Sequence, residues 1–326
     1  MRVVMTGDHP YPLPRISGGR APKRFPSAAG QRVHDWLAKG LGELGHEVLY
    51  CLTGTVSGEA PPGVQVTRDL REGDILHTYA MRNPEVVAAW RRRGRPWVES
   101  CHVDPRSRGT VPGERWIFVS RTLAESCGRQ RFVLNGVDPS EYVYSETKDD
   151  YVLFMSSMDA AIAKGLDVAL AAAALAGVPI IVAGTGTTEE SIAAAERLCG
   201  EFGATYVGDV QGDEKAELLA GARALLLPTR LNDACPMVIL EALVSGTPVI
   251  ASANGACPEL VTSDVGFICR AEEELAEAIG RIGSISPAAC REKALRDHHY
   301  LRMARDYVRE YRAEMFTKTP FRASSH

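Results

Sequence analysis

The residues whose types and spacing could do chemistry are concentrated between Leu227 and Val261. Asp233 and Glu241 stand eight positions apart, and between them Pro236 opens a run in which Met237, Leu240, Leu243 and Val244 recur at helical spacing. Proline suits a first helical position, where an N–H would have no intrahelical acceptor. The predicted helix therefore starts at Pro236, with Glu241 one turn after Met237 on the same face. The unpaired N–H groups of its first turn, over Pro236, Met237 and Val238, and the positive end of its dipole make a seat for an anion. A carboxylate one turn inside can accept both hydroxyls of a ribose, and an acid at the mouth can meet a sugar beyond the phosphates. That layout suits a nucleotide sugar. Spacing alone leaves a plainer reading open, in which Glu241 is a solvated helix acid.

A sheet must hold such a loop. Ala224 to Leu227 is an apolar run stopped by Pro228-Thr229, as in a short strand buried in a parallel sheet. A polar loop follows to Cys235, Gly246 closes the helix, and Thr247 to Ala251 returns as the next strand. The helix N-terminus thus opens at the carboxyl edge of a sheet, where open α/β folds bind ligands. Both halves of the chain repeat this grammar. In the first, strands are expected at Arg2–Thr6, Glu47–Leu52, Asp74–His77, Pro96–Ser100 and Trp116–Ser120, with helices at Gln31–Leu44 and Pro84–Arg93. A Pro- and Gly-rich loop spans Asp8 to Gly30, a length that in a compact domain usually serves function. In the second, strands are expected at Tyr151–Met155, Pro179–Gly184 and Ala204–Gly208, and helices at Leu166–Ala176, Glu189–Phe202, Glu214–Gly221, Glu273–Ile282 and Ser286–Tyr311. Gly184 and Gly208 taken singly signal turns.

At 326 residues the chain is comfortable for two domains, each with its own core. A net charge of −4 gives no global attraction to nucleic acid or to an anionic membrane. The run Arg91-Arg92-Arg93-Gly94-Arg95 reads as a solvated helix end complementing the C-terminal dipole, so a nucleic-acid partner is not expected. The eight cysteines form no C-x-x-C pair or zinc spacing, which favours reduced thiols. Asp8 and Pro10 interrupt the N-terminus too early for a signal peptide, and no apolar run reaches spanning length. A cytoplasmic protein with at most peripheral membrane contact is expected, and the wealth of Ala, Gly and Arg suggests a bacterial genome of high GC content.

The string from Asp233 to Ala251 resembles the retaining glycosyltransferases of family 4, a GT-B family. In these, two acids separated by seven residues flank a small-residue turn and run into LEAL-x-x-G-x-PV; Leu240, Glu241, Ala242, Gly246, Pro248 and Val249 match. Asp233 stands where the family usually has Glu, and Cys235-Pro236 where it has Phe-Gly. Further matches are Gly45-His46-Glu47-Val48, His102 at a strand end, the linker string Asn135-Gly136-Val137-Asp138, and Lys164-Gly165. Departures are Ser27-Ala28-Ala29-Gly30 for the usual Gly-Gly before the first helix, and Ser157 for the arginine that binds the diphosphate. An arginine from elsewhere, Arg230 for example, would share that load.

The resemblance implies two Rossmann-like parallel-sheet domains facing across a cleft. Residues 1–145 would form the acceptor domain, 146–300 the nucleotide-sugar domain, and 301–326 a helix returning to the first domain and a tail. It implies a retaining, metal-independent transfer, since no D-x-D string is present. His102 and Asp233 would hold the sugar, Lys164 would act as a point charge on the β-phosphate, and Ser157, Gly184, Val207, Gly208, the Pro236–Val238 turn and Glu241 would bind the rest of the donor. No base-discriminating contact is legible from Tyr206 to Gly212, and UDP is the expected nucleotide. The acceptor would be a small molecule, as in the compact members that decorate antibiotics, or a glycan or lipid-linked acceptor. Two other outcomes stay open: a nucleotide-sugar-binding protein without turnover, and a GT-B sugar-nucleotide epimerase.

Overall fold

The computed structural model describes residues 1–9, 29–54, 56 and 58–316. Most of the loop expected over Asp8–Gly30, including Ser27 and Ala28, and the tail beyond residue 316 lie outside the described residues. These fall into two compact units, the first containing residues 1–9, 30–136 and 300–316, the second residues 137–299.

The first unit runs β1 (Arg2–Gly7), α1 (Ala29–Glu43), β2 (Glu47–Leu52), β3 (Val64–Thr67), β4 (Ile75–Tyr79), α2 (Pro84–Arg92), β5 (Trp97–Cys101), β6 (Trp116–Phe118) and α3 (Arg121–Ser126). Its six strands are all parallel, in the order β3-β2-β1-β4-β5-β6. Val3, Val4, Met5, Ile75 and Leu76 are fully buried, as central strands of a sheet covered on both faces require. The expected elements are present to within a few residues. The strand β3, VQVT, was not among the expected elements; it follows β2 with no helix between them.

The second unit runs β7 (Val152–Met155), α4 (Leu166–Ala176), β8 (Ile180–Ala183), α5 (Glu189–Glu201), β9 (Thr205–Gly208), α6 (Gly212–Gly221), β10 (Ala224–Leu227), α7 (Met237–Val244), β11 (Val249–Ser252), α8 (Cys257–Leu260), β12 (Gly266–Cys269), α9 (Glu272–Arg281) and α10 (Pro287–Asp297). The order β12-β11-β10-β7-β8-β9, again parallel, repeats the first sheet's connectivity. From β7 the chain builds outward through β8 and β9, then returns to lay β10 on β7's other side. The carboxyl ends of β7 and β10 therefore flank a topological switch point. The edge strand β12 also went unread.

The chain passes into the second unit at Gly136/Val137, upstream of the polar stretch at 145–150 that suggested a boundary at 145/146. That stretch is a loop of the second unit, where the N–H of Ser145 donates to the Ser245 carbonyl at 3.3 Å and that of Asp149 to Gly221 at 2.7 Å. The helical run expected over Ser286–Tyr311 breaks at His298-His299, where the Val137 N–H donates to the His298 carbonyl at 2.8 Å. The last helix, α11 (Tyr300–Phe316), belongs to the first unit. It buries Tyr300, Met303, Ala304, Tyr307, Val308 and Tyr311, a stripe of helical period. Gly40 of α1 allows its close approach, since a Cβ there would fall 2.9 Å from that of Ala304. No helix among the described residues is long and apolar enough to cross a membrane.

Candidate active site

The switch point of the second unit brings together two residues 69 positions apart. Lys164 lies in the loop after β7 and Asp233 in the loop after β10. The Lys164 ammonium donates to Asp233 Oδ1 at 2.5 Å, and the Thr229 hydroxyl donates to Oδ2 at 3.1 Å. Both oxygens of the carboxylate are thus engaged, one by a charge-assisted bond. The two loops are stitched by backbone: the Arg230 N–H donates to the Ala163 carbonyl at 2.8 Å. Gly165, at φ 84°, passes so close to Pro228 that a Cβ would fall 2.2 Å from its carbonyl oxygen. Asp233 is fixed from a third loop. Its carbonyl accepts from Ala256 N–H at 2.9 Å, and Gly255, at φ 55°, leaves room for its backbone where a Cβ would stand 2.4 Å from the Asp233 nitrogen. Burial, with the Asp233 charge next, pushes the neighbouring Cys257 thiol up to about 12.

Helix α7 begins one residue later than expected. Pro236 takes the N-cap position with an extended ψ of 105°, and Met237 is the first helical residue. The helix N-terminus at Met237-Val238 follows directly from the Asp233 loop. Glu241, one turn in, is only 8% exposed, which rules out the solvated helix acid. Its Oε1 accepts from the Lys215 ammonium at 2.7 Å and from the Tyr142 hydroxyl at 3.0 Å. No local spacing signals either partner, since one comes from α6 and the other from the segment after the linker string.

On the other flank of β7, Ser157 is the N-cap of a short 3-10 turn whose N–H at Ala160 returns to the Ser157 carbonyl at 3.1 Å. Gly184 lies against this loop: a Cβ on it would fall 1.8 Å from the Ser156 carbonyl oxygen. The Gly184 N–H donates to the Gly208 carbonyl at 2.7 Å, and Val207 beside it is exposed. Arg230, named above as a second cation for the diphosphate, is paired with an acid of α4 in this structure. Its guanidinium forms a fork with Asp167 of α4, at 2.8 and 2.9 Å, and donates to the Ile162 carbonyl at 2.6 Å. Asp167 sits in the first turn of α4, so this pair closes the outer side of the Lys164 loop. Asp159, also unread, accepts from Thr187 N–H and the Ser191 hydroxyl and fixes the loop that follows β8.

In the first unit, His102 directly follows β5. Its Nε2 lies 3.1 Å from the Ser100 hydroxyl, and its ring packs against Tyr79 and His34, centroids 5.4 and 5.6 Å away. Burial, followed by the nearby Arg82 charge, lowers its pKa to about 4. Burial likewise lowers His77 to about 3 and holds His34 well below the usual imidazole value. All three are neutral at pH 7. The basic run lies exposed at the C-terminal end of α2 as expected, Arg91 and Arg92 in its last turn, with the guanidinium groups of Arg91 and Arg93 over Trp97 and Trp90.

Residues 149–284, nearly all of the second unit, match the protein family described as glycosyl transferases group 1. The chain is 26% identical over 263 residues to a phosphatidyl-myo-inositol mannosyltransferase of Mycolicibacterium smegmatis, an alignment that spans 76% of this chain and 63% of that protein's length. Among solved structures it superposes on AviGT4, a glycosyltransferase involved in avilamycin A biosynthesis, with a TM-score of 0.75 and 25% identity over 97% of this chain and 98% of the other. It shares its fold with Anabaena HepE, solved with UDP and glucose, at a TM-score of 0.68 and 16% identity over 96% of this chain. The two parallel six-stranded sheets with flanking helices are those of the GT-B architecture.

Proposed function

We propose that this chain, whose second unit matches the group 1 glycosyltransferases and whose fold is GT-B, moves a sugar from a UDP-sugar to a small-molecule or glycan acceptor with retention and without a metal. One observation carries the reading: the Lys164 ammonium and the Asp233 carboxylate meet at the switch point of the family-matched unit, beside the N-terminus of α7. A sugar diphosphate presents hydroxyls and phosphate charge on the two sides of one anomeric oxygen. A carboxylate and an ammonium one hydrogen bond apart are spaced to hold both at once.

In this mechanism the C1–O bond to the diphosphate breaks through an oxocarbenium-like state, and the acceptor oxygen bonds C1 on the same face. The acceptor proton passes to the departing phosphate oxygen. Lys164 and the N–H groups at Met237-Val238 neutralise the leaving group, while Asp233 holds sugar hydroxyls, a role the family resemblance also gives His102. Glu241 is oriented by Lys215 and Tyr142 toward the ribose, and Ser157, Gly184, Val207 and Gly208 line the nucleotide side. The choice of UDP is supported by the HepE complex, and the choice of a small acceptor by AviGT4.

The test is turnover of UDP-, GDP-, ADP- and dTDP-sugars, with transfer or slow hydrolysis as the readout. Asp233→Ala and Glu241→Ala are each expected to lower kcat/KM about 100-fold or more; rates unchanged in both variants refute the assignment. The serine at 157, where the family resembled carries a phosphate-binding arginine, motivates a second reading, nucleotide-sugar binding without turnover. Tight nucleoside diphosphate binding by calorimetry, with no turnover across an acceptor panel, would select it.

A further inference from the structure

Ser100 Oγ stands between two imidazoles. It lies 2.8 Å from His34 Nε2 and 3.1 Å from His102 Nε2. Ser100 and His34 are both 1% exposed. The His34 ring is clamped in a parallel stack on Tyr79, centroids 3.7 Å apart and planes 11° apart, and the Tyr79 hydroxyl is anchored on the Gly30 carbonyl at 3.0 Å. His34 Nδ1 is buried and meets no hydrogen-bonding partner among the described residues.

Each neutral imidazole carries one N–H and the serine one O–H, so the protons in this chain can be counted. If both Nε2 atoms donated, the buried serine hydrogen would have no acceptor. If His102 donated and the serine passed its proton to His34, the His34 proton would sit on buried Nδ1 with nothing to receive it. The third arrangement, His34 Nε2–H to Ser100 Oγ and Ser100 O–H to His102 Nε2, leaves only a bare Nδ1 lone pair inside, and orphaned acceptors are better tolerated than orphaned donors.

We infer that His34 and Ser100 are positioning residues that set the tautomer of His102, holding its proton on Nδ1 so that it is presented as a hydrogen-bond donor. That donor faces Gly30, since a Cβ built there would lie 3.8 Å from His102 Nδ1. An oxygen arriving over the bare backbone of Gly30, at the start of α1, accepts this hydrogen bond. The chemical class that fits is a neutral sugar hydroxyl or ring oxygen, because a neutral imidazole offers a bond without a counter-charge. The catalytic part of this inference rests on the glycosyl-transfer reading above; the tautomer does not.

The experiment separates the two. Two-bond ¹H–¹⁵N spectra of the histidine-labelled protein, with His102 assigned by its loss in His102→Gln, report which nitrogen carries the proton. The expected result is Nδ1–H for His102 and Nε2–H for His34 in the wild type, with His102 moving to Nε2–H or a mixture in Ser100→Ala. His34→Gln, whose amide can still donate to Ser100, is expected to keep the His102 tautomer; His34→Phe is expected to lose it. In turnover, Ser100→Ala is expected to lower kcat about 10-fold or more with donor KM within a few-fold, His34→Phe to do the same, and His34→Gln to keep most of the activity that His34→Phe loses. Finding Nε2–H on His102 in the wild type, or no change of its tautomer in Ser100→Ala, overturns the inference. Absence of nucleotide-sugar turnover by the wild type with the tautomer pattern intact leaves the inference standing and defeats the function instead.

Discussion

The buried imidazoles of the first unit make its stability fall as the solution is acidified, and His77 allows the size of the effect to be worked out. Its folded pKa lies at about 3, through burial first and then through the fields of His102 and Arg131, and an unfolded histidine titrates near 6.5. Between those values the unfolded state holds more protons than the folded one, so unfolding is favoured progressively as pH falls below about 6.5, and the loss levels off only near pH 3. At pH 5 the unfolded imidazole is almost wholly protonated and the folded one almost wholly neutral, a linkage free energy of about 2 kcal/mol, against a small fraction of that at pH 7. His102, at about 4, adds a similar amount at pH 5. Together these are a sizeable part of the ~5–15 kcal/mol that holds a typical domain folded.

The assay is urea unfolding followed by tryptophan fluorescence, which reports the first unit because all four tryptophans, Trp36, Trp90, Trp97 and Trp116, lie in it. His77→Gln keeps a polar group near the Tyr311 hydroxyl, which now sits 2.6 Å from His77 Nδ1, and it removes the titration. The difference in unfolding free energy between wild type and variant should move by about 2 kcal/mol between pH 7 and pH 5, with the wild type losing ground. Contributions of carboxylates common to both proteins cancel in that difference. A difference that stays flat from pH 7 to pH 5 would refute the reasoning, since His77 would then be protonated in the folded state or exposed.

Other consequences can be measured in the same preparations. Lys164→Ala should weaken nucleoside diphosphate binding about 10- to 100-fold by calorimetry, the range of one charge-assisted contact, with little change in the fold by circular dichroism. Gly255→Ala should destabilise the second unit by about 2–4 kcal/mol in urea unfolding followed by circular dichroism, because a side chain at φ 55° is strained and would collide with the Asp233 backbone; it should also cut turnover although it touches no ligand. Lys215→Met should raise KM for the donor more than it lowers kcat, because it frees the Glu241 carboxylate from the 2.7 Å contact that orients it.

Much of the architecture was legible because its signals are local. Apolar runs of four or five residues, closed by Gly or Pro and alternating with amphipathic stretches, announce strands of a sheet covered on both faces and the helices that cover it. The Asp233–Glu241 spacing and the proline ahead of the helix likewise put a polar loop at a sheet edge. What remained hidden was non-local or fell outside that alternation. The edge strands β3 and β12 break the alternation of strand and helix, since no helix separates β2 from β3 and only the single turn of α8 precedes β12, so neither is announced by a flanking amphipathic stretch.

The sequence by itself determined that carboxylates, a lysine and a histidine stand at the mouths of parallel strands, since strand ends and turn residues are written in consecutive positions. Only the tertiary structure decided how they are used. The return of the chain beside β7 joins Lys164 to Asp233; Tyr142 and Lys215 arrive from distant segments to claim Glu241; Arg230 pairs with Asp167; and α1 carries His34 onto Ser100. Hydrogen bonds between side chains act over about 3 Å, and which groups come that close is fixed by the order of strands in a sheet.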